Sequence, residues 1–209
     1  MYEEIKQKII DVCLQLVDQE LIYDTAGNIS VRIPEMNHII MTPSNVLYDS
    51  MKISDLPVLD LSGKIVEPGL KPTSETPMHL AVLNAFPQIN AVIHTHSKYA
   101  SAFSIIRQPI DTIYLLSLMV GFVPVAEYGT SGSEELAQHA VDALKQHDAR
   151  ACLLANHGAL ITAKNLDLAK DTARYLEKTA ELQHIALCHG KPFEIPQSEI
   201  EAFTKAFVL

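Results

Sequence analysis

The stretch Ala91-Val92-Ile93-His94-Thr95-His96 runs three apolar residues into two histidines one residue apart. A short apolar run of this kind is a buried-strand signal. Side chains alternate along a strand, so His94 and His96 project to one face and Thr95 to the other. Twice the rise per residue separates them by about 7 Å, which lets two imidazoles converge on one divalent cation. They end a rigid element rather than ride on a loop, so a metal is the first chemistry to consider.

A second apolar run, Ala151-Cys152-Leu153-Leu154-Ala155, is followed by His157 and then Gly158, again a histidine at a strand end before a tight turn. An H-x-H pair alone is as readily two satisfied polar side chains. A third histidine at a matching strand end tips the reading toward a metal. Zinc takes three imidazoles and keeps a position open in catalytic sites, and manganese or cobalt suits the same kind of set.

Around these strands the pattern mixes helix and strand periods. Residues 3–20 carry apolar positions at helical spacing, from Ile5 and Ile9 to Leu16 and Val17. Strands are expected at Ile29–Ile33, Ile39–Thr42, Val58–Leu61 and Ile65–Val66, with hairpin turns between them. Thr73 and Ser74 are capping residues ahead of a helix at about 75–86, with Pro77 tolerated in its first turn. A helix near 98–105 follows the His94 strand, and Thr112–Leu116 and Phe122–Val125 read as further strands. Ser133 caps an alanine-rich helix to about Gln146, and a long helix at 166–189 closes at Gly190. Hairpins imply antiparallel pairing. The expected fold is α/β: one domain over residues 1–209, a sandwich in which helices cover a central, mostly antiparallel sheet.

Composition narrows the function. The 209 residues are 48% apolar and 20% charged, an ordinary soluble balance that can build a large core. A net charge of −9 argues against a nucleic-acid partner. The longest apolar stretch, Ile113–Ala126, is broken by Gly121 and Pro124 and is too short for a membrane span, and the first residues lack a secretion-signal profile. Cys13, Cys152 and Cys188 read as small core residues in a reducing compartment, which places the protein in the cytoplasm.

Three small-residue clusters stand out. Thr25-Ala26-Gly27-Asn28-Ile29-Ser30, Thr42-Pro43-Ser44-Asn45 and Thr73-Ser74 are each ordinary turn or cap signals. Together they suit an anion site built from hydroxyls, an amide and backbone N–H groups. No glycine-rich nucleotide loop is present. Glu75 begins a helix, where its charge suits the dipole. His79 falls four residues later on the same helical face and reads as a packed or surface histidine. No chemistry is assigned to His38, His139, His147, His184 or His189.

T-A-G-N-I-S (25–30), M-T-P-S (41–44), K-P-T-S-E-T-P-M-H (71–79), A-V-I-H-T-H-S (91–97) and L-A-N-H-G (154–158) occur in this order. In that order they resemble the class II aldolase/adducin family, most of all the branch that cleaves L-fuculose 1-phosphate, from the opening helix to about residue 185. The resemblance implies His94, His96 and His157 as zinc ligands, with Glu75 as acid/base and resting-state ligand. It implies Gly27, Asn28, Ser44, Asn45, Thr73 and Ser74 as phosphate-binding residues and Tyr114 as the tyrosine that places and protonates the aldehyde oxygen.

The fold it implies is the same sandwich, assembled as a homotetramer with sites at subunit interfaces. The reaction it implies is reversible cleavage of a ketose 1-phosphate, through a metal-stabilised enediolate, to dihydroxyacetone phosphate and an aldehyde such as L-lactaldehyde. Ribulose-5-phosphate 4-epimerases share the metal face but typically carry aspartate at the position of Glu75. Related dehydratases and decarboxylases are further alternatives, and a non-catalytic adducin-like module would have lost the metal ligands. The chain departs from the aldolase pattern at Asn45, usually glycine, and at Ser131, usually aromatic. It also ends at Leu209, before the pattern's tail tyrosine.

Overall fold

The computed structural model describes residues 2–207. Its elements in chain order are α1 (Tyr2–Asp18), β1 (Asn28–Ile33), β2 (His38–Met41), β3 (Val58–Asp60), β4 (Ile65–Glu67), α2 (Thr76–Ala85), β5 (Ala91–Thr95) and α3 (Lys98–Ile106). They continue with β6 (Val125–Ala126), α4 (Glu134–Gln146), β7 (Ala151–Leu154), β8 (Gly158–Ala163), α5 (Leu166–His189) and α6 (Gln197–Phe207). The strands form one eight-stranded sheet in the order β4-β3-β2-β1-β5-β8-β7-β6. Every pair is antiparallel except β6 with β7.

Strand alternation sorts the core into two layers. Ile29, Val31 and Ile33 of β1, Ile93 of β5 and Ile161 of β8 pack against α1, α3 and α5. Ile39, Met41, Val92, Leu154 and Leu160 face the other way, onto α2 and α4. The result is helices, sheet, helices, as the period-2 and helical patterns require. Side-chain caps start two of the helices: Ser133 accepts from the Leu136 amide, and Asn165 accepts from the Leu168 amide. The expected close of the long helix at Gly190 is the observed one.

Some elements differ from expectation. Residues 112–116 form no strand, and a 3₁₀ turn occupies Leu115–Met119. Side chains satisfy this backbone instead of a neighbouring strand: Ser117 Oγ both accepts from the Tyr114 amide and donates to its carbonyl, and Gln183 accepts from the Asp111 amide. The run 122–125 is cut by Pro124, which has no N–H to donate. Val123 makes only an isolated bridge to Ile110, and pairing resumes at Val125–Ala126. Strand β8 and helix α6 were not expected. Cys13 and Cys152 are buried, but Cys188 is exposed and is no core residue.

Gly158 has its own reason. A Cβ there would lie 2.3 Å from the Thr95 carbonyl oxygen and 3.3 Å from the His94 ring. The left-handed residue of the β7–β8 turn is Asn156, at φ 57°, so glycine is needed at 158 for space rather than for the turn. Replacing Gly158 with alanine should force β8 away from β5 and destabilise the protein by about 1–3 kcal/mol, the usual cost of overpacking. Urea unfolding measures this, and an unchanged midpoint would show that the strands yield freely.

Candidate metal and anion site

The register of β5 with its neighbours builds the site. Asn28 of β1 lies opposite His94, and His94 lies opposite Leu160 of β8. His96 follows β5 directly, and His157 precedes the first residue of β8. The ligand atoms of His94, His96 and His157 therefore all fall within 4.8 Å of one another. The His94–His157 and His94–His96 ring centroids are 4.6 and 4.7 Å apart. Helix α3 leaves the site immediately after Ser97. Its first turn is pinned by Glu177 of α5, whose carboxylate accepts from the Tyr99 and Ala100 amides at 2.7 and 2.9 Å.

The protonation pattern suits ligation. His94 Nδ1 lies 3.0 Å from the Ala159 carbonyl, which can only accept, so Nδ1 carries the proton and Nε2 keeps its lone pair. That Nε2 faces His96 Nε2 at 2.8 Å, near the roughly 3.3 Å between two nitrogens on one tetrahedral zinc. Burial, then the neighbouring imidazoles, hold His94 well below the ordinary histidine range. Burial and His157 bring His96 to about 4. Both are neutral at pH 7, the form that binds a metal.

Glu75 occupies the cap position of α2 and is 4% exposed. It stands outside the three-histidine set. Its Oε1 accepts from the Ser131 hydroxyl, while Oε2 is buried without a partner. An orphaned carboxylate oxygen is costly unless a cation or proton meets it. Together with three convergent imidazoles, one with its outer nitrogen anchored to a carbonyl, this donor set fits a divalent metal.

The three small-residue clusters are drawn together beside this centre. Thr42 Oγ1 accepts from the Ile29 amide, the Thr73 amide donates to the Thr42 carbonyl, and the Ser44 amide donates to the Lys71 carbonyl. Thr73 Oγ1 then accepts from the Glu75 amide. Gly27 takes φ 87° with space for no Cβ, since one would lie 2.5 Å from Ile22 and 2.9 Å from the His94 carbonyl oxygen. Asn45 is left-handed at φ 58°, a conformation asparagine tolerates best after glycine. Asn28 and Thr73 are buried, Ser44 is half-buried, and Asn45 and Ser74 are exposed. Tyr114 lies elsewhere: its phenol packs beside Thr179 and Lys178 of α5, and burial raises its pKa.

Two contributors carried no decisive sequence signal. Tyr48 donates to the Gly27 carbonyl at 2.6 Å and braces that loop. His79, fully buried, joins Asn28 Oδ1 at 2.5 Å to Ser30 Oγ at 2.6 Å. Oδ1 only accepts, so His79 Nε2 donates to it and Nδ1 receives the serine proton. The Glu75–His79 spacing was the one hint. A cleft beside His96 and His157 is lined by Tyr23, Asp24, Lys98 and Ser101, and the Ser101 hydroxyl is buried without a partner.

With this geometry in place, the chain belongs to the class II aldolase and adducin family, whose N-terminal-domain pattern matches residues 7–184. It is 37% identical to the L-fuculose phosphate aldolase of Haemophilus influenzae over 92% of this chain and 87% of the relative. It is 32% identical to the 5-deoxy-D-ribulose 1-phosphate aldolase of Bacillus thuringiensis over 97% of this chain and 94% of that one. The solved structure of an L-fuculose 1-phosphate aldolase superposes with a TM-score of 0.94 at 35% identity, covering 99% of this chain and 97% of that one.

Burial lowers the pKa of His79 from 6.5 to about 3. The unfolded chain takes up a proton that the folded chain refuses, so this contribution to stability is whole above pH 6.5 and is lost as pH falls toward 3. Urea midpoints at pH 7, 6 and 5 should fall less steeply in His79→Gln, by up to about 1.4 kcal/mol per pH unit. Equal slopes would show that His79 is not a buried neutral imidazole.

Proposed function

We propose that the protein is a metal-dependent class II aldolase that reversibly cleaves a ketose 1-phosphate to dihydroxyacetone phosphate and a short aldehyde. The observation that carries this reading is the convergence of the His94, His96 and His157 ligand atoms to within 4.8 Å of one another. The aldolase names of relatives aligned over more than nine-tenths of the chain support the reaction class.

In this reading the three histidines hold the metal, with zinc favoured by the imidazole set and manganese or cobalt compatible with it. A divalent cation there supplies Lewis-acid charge where negative charge develops on the substrate's carbonyl and hydroxyl oxygens. Glu75 moves the proton: it protonates the carbon left by C3–C4 cleavage, and in synthesis it removes that proton. Its burial at the start of α2 keeps the carboxylate out of bulk water.

Gly27, Asn28, Ser44, Asn45, Thr73 and Ser74 form the phosphate end. With Oδ1 of Asn28 held by His79, its NH₂ is the end left to donate to an anion. The Gly27 backbone, the hydroxyls of Ser44, Thr73 and Ser74, and the Asn45 loop complete a cradle that needs no lysine. Tyr114, packed away from this chain's own histidines, serves the aldehyde end from a neighbouring subunit in a homotetramer. Among the described residues no helix is long and apolar enough to cross a membrane. Cys13 and Cys152, buried as free thiols, suit a reducing compartment such as the cytoplasm.

The 5-deoxypentulose 1-phosphates are the second substrate reading, favoured by the Bacillus thuringiensis relative. Metal-loaded protein incubated with L-fuculose 1-phosphate, L-rhamnulose 1-phosphate and 5-deoxyribulose 1-phosphate should release dihydroxyacetone phosphate from at least one of them. Silence across the panel, with interconversion of pentulose 5-phosphates, would make the protein an epimerase instead. Glu75→Gln should keep stoichiometric metal and lose about 10²–10⁴-fold in turnover, read by metal analysis beside the rate. His157→Ala should lose the metal, and a fully metallated variant would remove His157 from the ligand set.

A further inference from the structure

One wall of the cleft beside His96 and His157 takes no part in holding a metal or a phosphate. Lys98 and Ser101, near the start of α3, form it together with Tyr23 and Asp24 of the loop that leads into β1. Both sides of the wall are held in place. Glu177 of α5 accepts from the Tyr99 and Ala100 amides and fixes the start of α3. Across the cleft, the Ala26 amide closes a turn onto the Tyr23 carbonyl at 2.8 Å. The Tyr23 ring stands edge-on to His96, with centroids 6.4 Å apart. Strand order places the wall relative to the substrate. In the order β2-β1-β5-β8, Ser44 follows β2, whereas His157 precedes β8 on the far side of β5. A ketose 1-phosphate with its phosphate at Ser44 and its carbonyl at the histidines therefore runs its last carbons toward this wall.

The wall has unmet hydrogen-bonding capacity. Ser101 Oγ is buried with no partner. A helical serine ordinarily returns its hydroxyl to the backbone one turn earlier, as Ser104 does onto the Ser101 carbonyl. An unpaired buried hydroxyl is costly, and a ligand hydroxyl relieves it. Lys98 is exposed and forms no ion pair among the described residues, so its ammonium donors face solvent or a ligand. Glu20 and Asp24 add acceptors, while Val17 and Ile22 suit a carbon skeleton. Two carboxylates against one ammonium disfavour a second anionic group here and suit hydroxyls. We propose that this wall sets specificity for the aldehyde half of the ketose. Ser101, the more buried of the two donors, hydrogen-bonds the C5 hydroxyl, and Lys98, at the rim, takes the C6 hydroxyl. The preferred ketose 1-phosphate therefore ends in a hydroxyl rather than a methyl.

The inference rests on the ketose 1-phosphate reading proposed above, and binding without turnover tests it. Dissociation constants are measured by titration calorimetry in Zn²⁺-loaded Glu75→Gln, alone and combined with Lys98→Met or Ser101→Ala. The ligands form two matched pairs. L-Fuculose and L-rhamnulose 1-phosphates end in a methyl, and L-tagatose and L-fructose 1-phosphates are the same sugars with a C6 hydroxyl. The reference, 5-deoxyribulose 1-phosphate, has neither the C5 nor the C6 hydroxyl. The 6-hydroxy member should bind about 2–10-fold tighter than its methyl counterpart in at least one pair, the worth of one hydrogen bond. Lys98→Met should erase that difference. Ser101→Ala should weaken both members of that pair by about 10-fold, because each loses its partner for the C5 hydroxyl. The reference should weaken less, whereas a general loosening of the site would weaken all ligands alike.

Equal affinities within both pairs, or a preference that survives Lys98→Met, would overturn the role of Lys98. An equal loss for every ligand in Ser101→Ala, or no loss at all, would overturn that of Ser101. Binding of none of the five ligands would overturn the wall and the ketose 1-phosphate reading together. The expected preferences in a protein whose wild type releases no dihydroxyacetone phosphate would uphold the wall and overturn only the reaction.

Discussion

The pairing of β5 between β1 and β8 is the constraint on which the rest of the site depends. It sets Asn28 opposite His94 and brings Ala159 within reach of the His94 ring. It also puts His157 at the head of a strand that touches the Thr95 backbone. Side chains alternate with a period of two, so a slip of one residue in β5 would turn His94 into the layer beneath α3 and α5. The apolar alternation of Ala91, Val92 and Ile93 resists that slip, because both faces of the strand are filled. The hydrophobic core and the metal geometry are thus specified by one register.

The face of the sheet beneath α2 carries an unusual load for a core layer. Asn28, Ser30, His79 and His94 are all buried there, among Met78, Val82 and Val92. Polar groups in such a place are tolerable only when paired. The chain Ser30–His79–Asn28 satisfies itself in one direction, each group donating to the next or accepting from it. That chain fixes the tautomer of His79 and the amide orientation of Asn28, and so connects the middle of the sheet to the anion cradle at its rim.

How much of this was legible depends on whether a feature is local. Helices α1, α4 and α5 were readable because apolar period and caps coincide, as at Ser133 and Gly190. The three histidines were readable as strand-end residues, and the ordered motifs implied their convergence. Strand β8 was missed because its small residues, Gly158, Ala159 and Ala163, carry little strand preference. They suit a strand only because β5 lies so close. The strand expected at 112–116 failed because Ser117 and Gln183 satisfy that backbone, and no local pattern announces a partner 72 residues away. The brace from Tyr48 and the contact between Ser131 and Glu75 are likewise products of assembly.

The two margins of the sheet have a consequence of a different kind. β4 is three residues long and β6 only two, whereas the central β1 and β8 have six each. β4 also meets β3 across a register shift, and its Glu67 is engaged by Lys6 of α1. A margin so short and interrupted offers few free backbone groups to another chain, so the sheet does not lend itself to growth by adding strands. Copies of this protein that associate must meet through helices and loops. There, apolar side chains such as Ile105, Ile106 and Leu115 stand in solvent, and a meeting of that kind is read from side-chain shape rather than from hydrogen-bonded backbone.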